Sequence, residues 1–173
     1  LLEIVMDRDL TLVLMLSDVV QITEADKVAQ LLVRIFEAND KTMDLLKASI
    51  SAEVAKTETA NTLFRRNSVA TKLLAAYCKL CGAEYLREAL APQIRLLITQ
   101  GTSVGYELDE TKLPAGQTLD ENQANVTRAC IAFLEDIQRS IPQCPRPFRE
   151  ISRFLKETVG EKFPGAEHTA VAG

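Results

Sequence analysis

The stretch Thr62-Leu63-Phe64-Arg65-Arg66-Asn67-Ser68-Val69-Ala70-Thr71-Lys72 lies where an interrupted pattern gives way to a regular one. Before it, the polar run Thr57 to Asn61 breaks a helical repeat. After it, Val69, Leu73, Leu74, Tyr77 and Leu80 recur at helical spacing as far as Gly82, a residue able to take the left-handed conformation that ends helices. Leu63 and Phe64 can anchor the connecting loop in a core, and Asn67 or Ser68 can accept the first free amides of the helix. A loop pinned at both ends holds a long side chain outward, and that side chain is Arg65. The plainer alternative is a solvated surface arginine near a helix start.

Working outward, three- and four-residue spacing of apolar positions dominates and strand-like alternation is almost absent, so the fold class is all-α with about seven helices. Leu10 to Leu16 reads as a buried core helix. Thr23 with Asp26 forms a carboxylate version of a capping box ahead of a helix that buries Val28, Leu31, Leu32, Ile35 and Phe36 and ends near Asn39. A third helix, from Lys41 to Lys56, turns Leu45, Leu46 and Ile50 inward. Glu84 to Thr99 is helical, with Pro92 imposing a kink or a division into two short helices. Gln100 to Thr118 is the longest irregular stretch, and Val104 to Leu108 within it allows a short extended piece. A helix from Asp120 to Ser140 buries Val126, Cys130, Phe133, Leu134 and Ile137. Prolines 142, 145 and 147 then force an extended turn before Phe148 to Phe163, whose inner stripe is Phe148, Ile151, Phe154, Leu155 and Val159. No internal repeat supports a solenoid.

The 173 residues suffice for one domain burying about 70% of the surface exposed by the unfolded chain. A net charge of −4, with both signs interspersed, offers neither a basic stripe for nucleic acid nor a polybasic patch for an anionic membrane. The longest apolar run is far short of the ~20 residues a membrane span needs. No signal peptide is visible at the start, and the chain does not begin with Met, so it reads as a stretch of something longer. Cys78, Cys81, Cys130 and Cys144 are too few and too irregular for a disulfide framework, which fits a reducing, intracellular setting. Cys78-x-x-Cys81 has the spacing of half a zinc site, but no second pair follows and His168 is distant. Two small core residues of one helix are the simpler reading, and no metal site is expected.

Thr62-Leu63-Phe64-Arg65 followed by Asn67-Ser68-x-Ala70-Thr71-Lys72 resembles the arginine-finger segment of Ras GTPase-activating (RasGAP) domains, nearest the neurofibromin branch. Gly82-Ala83-x-Tyr85-Leu86, Leu90-x-Pro92, Glu107-Leu108-Asp109, Leu119-x-Glu121-Asn122-Gln123-x-Asn125 and Glu161-Lys162-Phe163-Pro164 stand in that family's order. The likeness runs from about Leu10 to Gly173. It implies one helical domain over 1–173, with leading helices at 1–56, the finger loop at 57–66 and central helices at 67–173.

The resemblance further implies that Arg65 enters the active site of a Ras-family GTPase and stabilises charge developing on the phosphate during GTP hydrolysis. A planar, permanently charged guanidinium suits that task. On this view the chain is a regulator rather than an enzyme and needs no cofactor. GTP and magnesium belong to the partner, and the chain has no Gly-x-x-x-x-Gly-Lys-Ser/Thr sequence of its own. Thr62, Leu63, Phe64, Asn67, Ser68 and Thr71 support the finger loop, while Arg66, Lys72 and Lys79 are candidates for contacts with the GTPase. Arg66 departs from the family, where the position after the finger is commonly small. The Glu121-Asn122-Gln123-x-Asn125 group reads as structural, satisfying free amides at a helix start and bracing the site from below.

The family's Phe-Leu-Arg-x-x-x-x-Pro-Ala motif, which carries a second arginine, is not in the sequence. The expectation is therefore weak activity, with uncovered apolar faces leading to self-association or exchange of helices between two copies. The expected location is the cytoplasm, acting at membranes through membrane-anchored Ras rather than by insertion. A GAP-fold scaffold without catalysis and a helical interaction module unrelated to Ras are the alternatives.

Overall fold

The computed structural model describes residues 10–64 and 68–166, apart from the side chains of Ile22 and Thr102. Among the described residues all regular structure is helical. Six α-helices lie among the described residues: α1 (Thr11–Val19), α2 (Ile22–Glu37), α3 (Thr42–Lys56), α4 (Val69–Gln100), α5 (Leu119–Ser140) and α6 (Arg146–Lys162), with short 3-10 turns between several of them. None is long and apolar enough to cross a membrane. The chain divides into two compact units: residues 1–82 with 145–173, and residues 83–144.

The first unit holds the hydrophobic core. On α3, Leu45, Leu46 and Ile50 are fully buried, as their spacing predicts, and they meet Phe36, Leu73 and Val159 in one cluster. Two features tie α3 to α6. Lys47 Nζ donates to Glu150 Oε1 at 2.6 Å, and Lys162 Nζ donates to the carbonyls of Val54 and Ala55 at 2.8 and 2.7 Å. The second arrangement puts a cation on the otherwise unsatisfied carbonyls at the C-terminus of α3, where the helix dipole favours it.

Several expectations are corrected within this unit. Helix α1 buries Leu10 and Val13, while Met15, Leu12 and Leu16 face solvent, so the apolar run is buried along one edge only. The Thr23/Asp26 capping box does not form: α2 starts at Ile22, which puts Thr23 inside the helix, and the cap residue Gln21 makes no side-chain cap. The buried face of α2 is Ala25, Ala29, Leu32, Val33 and Phe36. Leu31 and Ile35 are exposed because the face is centred on the small alanines, which allow close packing. Leu80 of α4 is likewise exposed. Cys78 is exposed and Cys81 half-buried, so neither is a full core residue, and all four cysteines are free thiols.

Helix α4 does not stop at Gly82 and is not divided at Pro92; it is assigned as one helix of 32 residues. Gly82 has a different reason to be glycine. A Cβ there would lie 2.6 Å from Cζ of Phe148, so the α6 ring packs where a side chain would stand. Pro92 removes one amide from the helix ladder, and the flanking turns carry on. At the start of α6, Pro145 is the cap residue and Pro147 sits in the first turn, so the helix begins at Arg146, two residues before the predicted start.

The second unit is built differently. The loop between α4 and α5 contains 3-10 turns at Gly101–Ser103 and Glu110–Lys112, and Val104 to Leu108 forms no strand. Buried Asn122 donates through Nδ2 to the Glu107 carbonyl at 2.8 Å and to Gln117 Oε1 at 3.0 Å; Asn125 donates to the Gly105 carbonyl at 3.0 Å. A Cβ on Gly105 would fall 2.0 Å from Asn122 Oδ1. These asparagines hold loop carbonyls rather than free amides of their own helix. That capping task falls to Thr118, whose Oγ1 accepts from Glu121 N at 3.3 Å and bonds the Glu121 carboxylate at 3.0 Å. The expected inner stripe of α5 is not buried: Cys130, Leu134 and Ile137 are exposed and Val126 and Phe133 half-buried, whereas Asp136 is buried. No described element of this unit covers that apolar face.

Candidate functional site

The segment leading to Arg65 is held by short-range bonds that its residue types dictate. Ala60–Thr62 forms a 3-10 turn, with Thr62 N donating to the Thr59 carbonyl at 3.0 Å and Leu63 N to that of Ala60 at 3.2 Å. Thr62 Oγ1 also donates to the Thr59 carbonyl at 2.9 Å. Leu63 is buried in the main core and Phe64 packs half-buried against it, which makes both of them anchors. Phe64 has φ +55°, a conformation an L-residue with a bulky side chain rarely adopts. The turn and the two apolar anchors hold it there, redirecting the chain as it leaves the core.

Arg65, Arg66 and Asn67 lie outside the described residues. The start of the next helix is held by bonds of its own. Ser68 Oγ accepts from Thr71 N at 3.3 Å, the bond of an N-cap residue to the third residue of its helix. Thr71 Oγ1 returns a bond to the Ser68 carbonyl at 2.8 Å. Of the two cap candidates, the described bond is made by Ser68. The first turn of α4 also borders a cavity of about 140 Å³. Its walls include Leu14, Asp18, Glu53 and buried Ser49, whose hydroxyl has no hydrogen-bond partner among the described residues.

The two lysines of α4 differ in setting. Lys72 is largely buried for a lysine and pairs with Asp26 of α2 at 3.1 Å, a partner that spacing within α4 could not reveal. Lys79 is exposed beside Arg34 and Leu80 in a depression of about 280 Å³. Tyr77, five residues along α4 from Lys72, is buried, and its phenol is pushed up to about 12, chiefly by burial and then by Cys81 and Glu37. Among the described residues no cluster of three or more His, Cys, Asp or Glu side chains is placed to hold a metal.

Thus a strained anchor and a capped helix start bracket three residues, the first of which is Arg65. Residues 45–116 match the RasGAP family model, GTPase-activator protein for Ras-like GTPase. The match spans all of residues 62–72, including Leu63, Phe64 and Ser68, and supports a RasGAP domain in this chain. Among curated proteins, the probable Ras GTPase-activating-like protein ngap of Dictyostelium discoideum is 31% identical over 176 residues, covering 100% of this chain and 20% of that protein. Ras GTPase-activating protein 4 of Mus musculus is 30% identical over 159 residues, 84% of this chain and 20% of the relative. RasGAP-activating-like protein 1 of Homo sapiens is 35% identical over 133 residues, 69% of this chain and 16% of the relative. The chain therefore spans about a fifth of the length of these RasGAP relatives.

Proposed function

We propose that this chain is the finger-bearing part of a RasGAP domain of the neurofibromin-like branch, and that it accelerates GTP hydrolysis by a Ras-family GTPase. The observation that carries the proposal is the RasGAP match across residues 45–116, which places the family's similarity on the segment holding Arg65. Arg65 is the catalytic group, supplied in trans to the GTPase. Leu63 and Phe64 on one side and the Ser68 cap on the other fix the residues that flank it. Its guanidinium stabilises the transition state more than the bound GTP, because the charge it meets develops during the reaction. The chain regulates an enzyme and contributes no nucleotide or metal of its own. Arg66, Lys79 and Lys72 flank the contact surface, and the setting is cytoplasmic, at membranes that carry the GTPase.

Single-turnover GTP hydrolysis by Ras, with and without the chain, tests this. Arg65→Ala should remove the acceleration, by about a thousandfold in the general case of a finger supplied to a Ras-type GTPase, while binding persists. Equal activity of the variant overturns the finger assignment. Binding without acceleration by the unmodified chain would instead make it a scaffold.

We further propose that the chain self-associates, including by exchange of helices. The support is the exposure of Leu134, Ile137, Ile131 and Ile141 in the second unit. A clean monomer by light scattering over a wide concentration range overturns the association.

A further inference from the structure

Helix α6 carries Arg146, Arg149, Arg153 and Lys156 at intervals of three, four and three residues, which sets four cations along one side of the helix. Among the described residues the side chains of Arg146, Arg149 and Arg153 form no salt bridge or hydrogen bond, although Arg146 and Arg153 attract the Glu150 carboxylate at longer range and, after Lys47, help hold its pKa down. Together with Lys47 of α3 they line an open cleft of about 590 Å³, which also contains Glu150, Phe154 and Glu157. Lys47 is occupied: it bonds Glu150 at 2.6 Å and lies 5.8 Å from the centre of the Phe154 ring. The cleft nonetheless holds four cations against two carboxylates, a local basic patch that the interspersed charges of the sequence did not lead one to expect in a chain whose net charge is −4.

This concentration of charge runs against local stability. The first turn of α6 has no acidic residue and no side-chain cap, and Arg146 opens the helix where the dipole disfavours a cation. A sequence that breaks a local rule without a folding benefit commonly does so for a ligand. Arginine in particular offers a planar fork of donors that fits phosphate oxygens two at a time.

We propose that the α3–α6 cleft binds a ligand carrying several phosphate groups on a ring-sized scaffold, an inositol polyphosphate, either free or as the headgroup of a phosphoinositide lipid. The extent of the row excludes a single phosphate as the full ligand. Arg146 and Arg153 are seven residues apart, about 10 Å along the helix axis at the standard rise, so separate phosphates are needed to engage both. The volume falls within the range of small-molecule sites, roughly 300–1,000 Å³. Arg149 stands between the two ends, and Phe154 forms part of the cleft wall. Glu157 lies toward the C-terminal side, which favours seating of the phosphates nearer Arg146 and Arg149.

The site is independent of the finger and is tested without GTP hydrolysis. Inositol hexakisphosphate is titrated calorimetrically into the full chain at near-physiological salt, and cosedimentation is measured with phosphatidylcholine vesicles with and without phosphatidylinositol bisphosphate. Binding of both probes, or of the doped vesicles alone, supports the site; the second result assigns it to the lipid source. Arg149→Glu with Arg153→Glu should weaken binding about tenfold or more. Neutral Arg149→Gln with Arg153→Gln should weaken it less, and both pairs replace exposed residues, so circular dichroism should stay unchanged. Lys27→Glu with Arg95→Glu makes the same change in net charge elsewhere and should leave binding nearly intact. Failure of both probes to bind, or equal weakening by that distant pair, overturns the proposal. So does displacement of bound inositol hexakisphosphate by a single-stranded polynucleotide at lower concentration, which would make the row a nucleic-acid surface.

Discussion

The two units of this chain carry similar helical patterns and are held by different forces. In residues 1–82 with 145–173, Phe36, Leu45, Leu46, Ile50, Leu73 and Val159 form a dry cluster fully removed from solvent. In residues 83–144 the only described residues that are buried are Asn122 and Asp136, while Leu86, Ile98, Ile131, Leu134 and Ile141 remain at least half exposed. Named polar bonds do the holding there: the asparagine clamp on the loop, the Thr118 cap, and the 2.8 Å hydrogen bond between the Tyr85 and Ser140 hydroxyls. A 3.6-residue repeat of apolar side chains marks a face ready to be covered. Whether it is covered depends on what lies opposite, and that is not encoded in the helix itself.

The contrast can be broken most forcefully by Phe36→Ala. Emptying a fully buried aromatic site should cost about 3–5 kcal/mol in urea-unfolding stability. If Leu134→Ala costs as much, the second unit's face is covered in solution and the contrast fails.

Next in size is an alkaline effect that should come from the first unit's core. The Tyr77 phenol keeps its proton in the folded chain up to about 12, whereas the unfolded chain releases it near its ordinary value of 10. Between those values the unfolded state binds fewer protons, so the stabilisation present below pH 10 is lost as pH rises toward 12. The loss amounts to about 2–3 kcal/mol at ~1.4 kcal/mol for each pH unit. Urea midpoints across this window should fall steeply in the parent chain and more gently in Tyr77→Phe.

Gly105→Ala sharpens the other side. Its Cβ would collide with Asn122 Oδ1 and Gln117 Oε1, opening the clamp, and the cost should be about 1–3 kcal/mol, as for loss of a buried polar network. Amide exchange should rise around Glu107 and Gln117 while the Leu45 and Leu46 amides stay protected. The smallest effect is expected for Leu134→Ala and Ile137→Ala, within about 0.5 kcal/mol at concentrations where the chain is monomeric. Any concentration-dependent change in these variants would show that a second copy covers the face.

The sequence made the helical class, the inward residues of α3 and the anchoring Leu63 legible, because each rests on local spacing or on a strongly apolar side chain beside a break. Helix α2 was harder: its buried face is centred on Ala25 and Ala29, which a search for large apolar residues passes over. The buried stripe expected on α5 failed for want of a covering surface. The site was legible where chemistry is local, as at the Ser68 cap. It was not legible where a partner comes from a distant part of the chain, as with Asp26 for Lys72 or Glu150 for Lys47. The polar clamp of Asn122 and Asn125 spans 15 and 20 residues and could not be inferred from spacing either.

Gly82 carries a warning for anyone mapping this chain by mutational scanning. Nearly every substitution there should fail, in the pattern usually attributed to a catalytic turn or a ligand-cradling backbone. The cause lies instead in the Phe148 ring occupying the side chain's place. A paired change that shrinks position 148 should restore much of the lost tolerance, and such rescue separates a steric partnership from an active-site requirement when intolerance alone cannot.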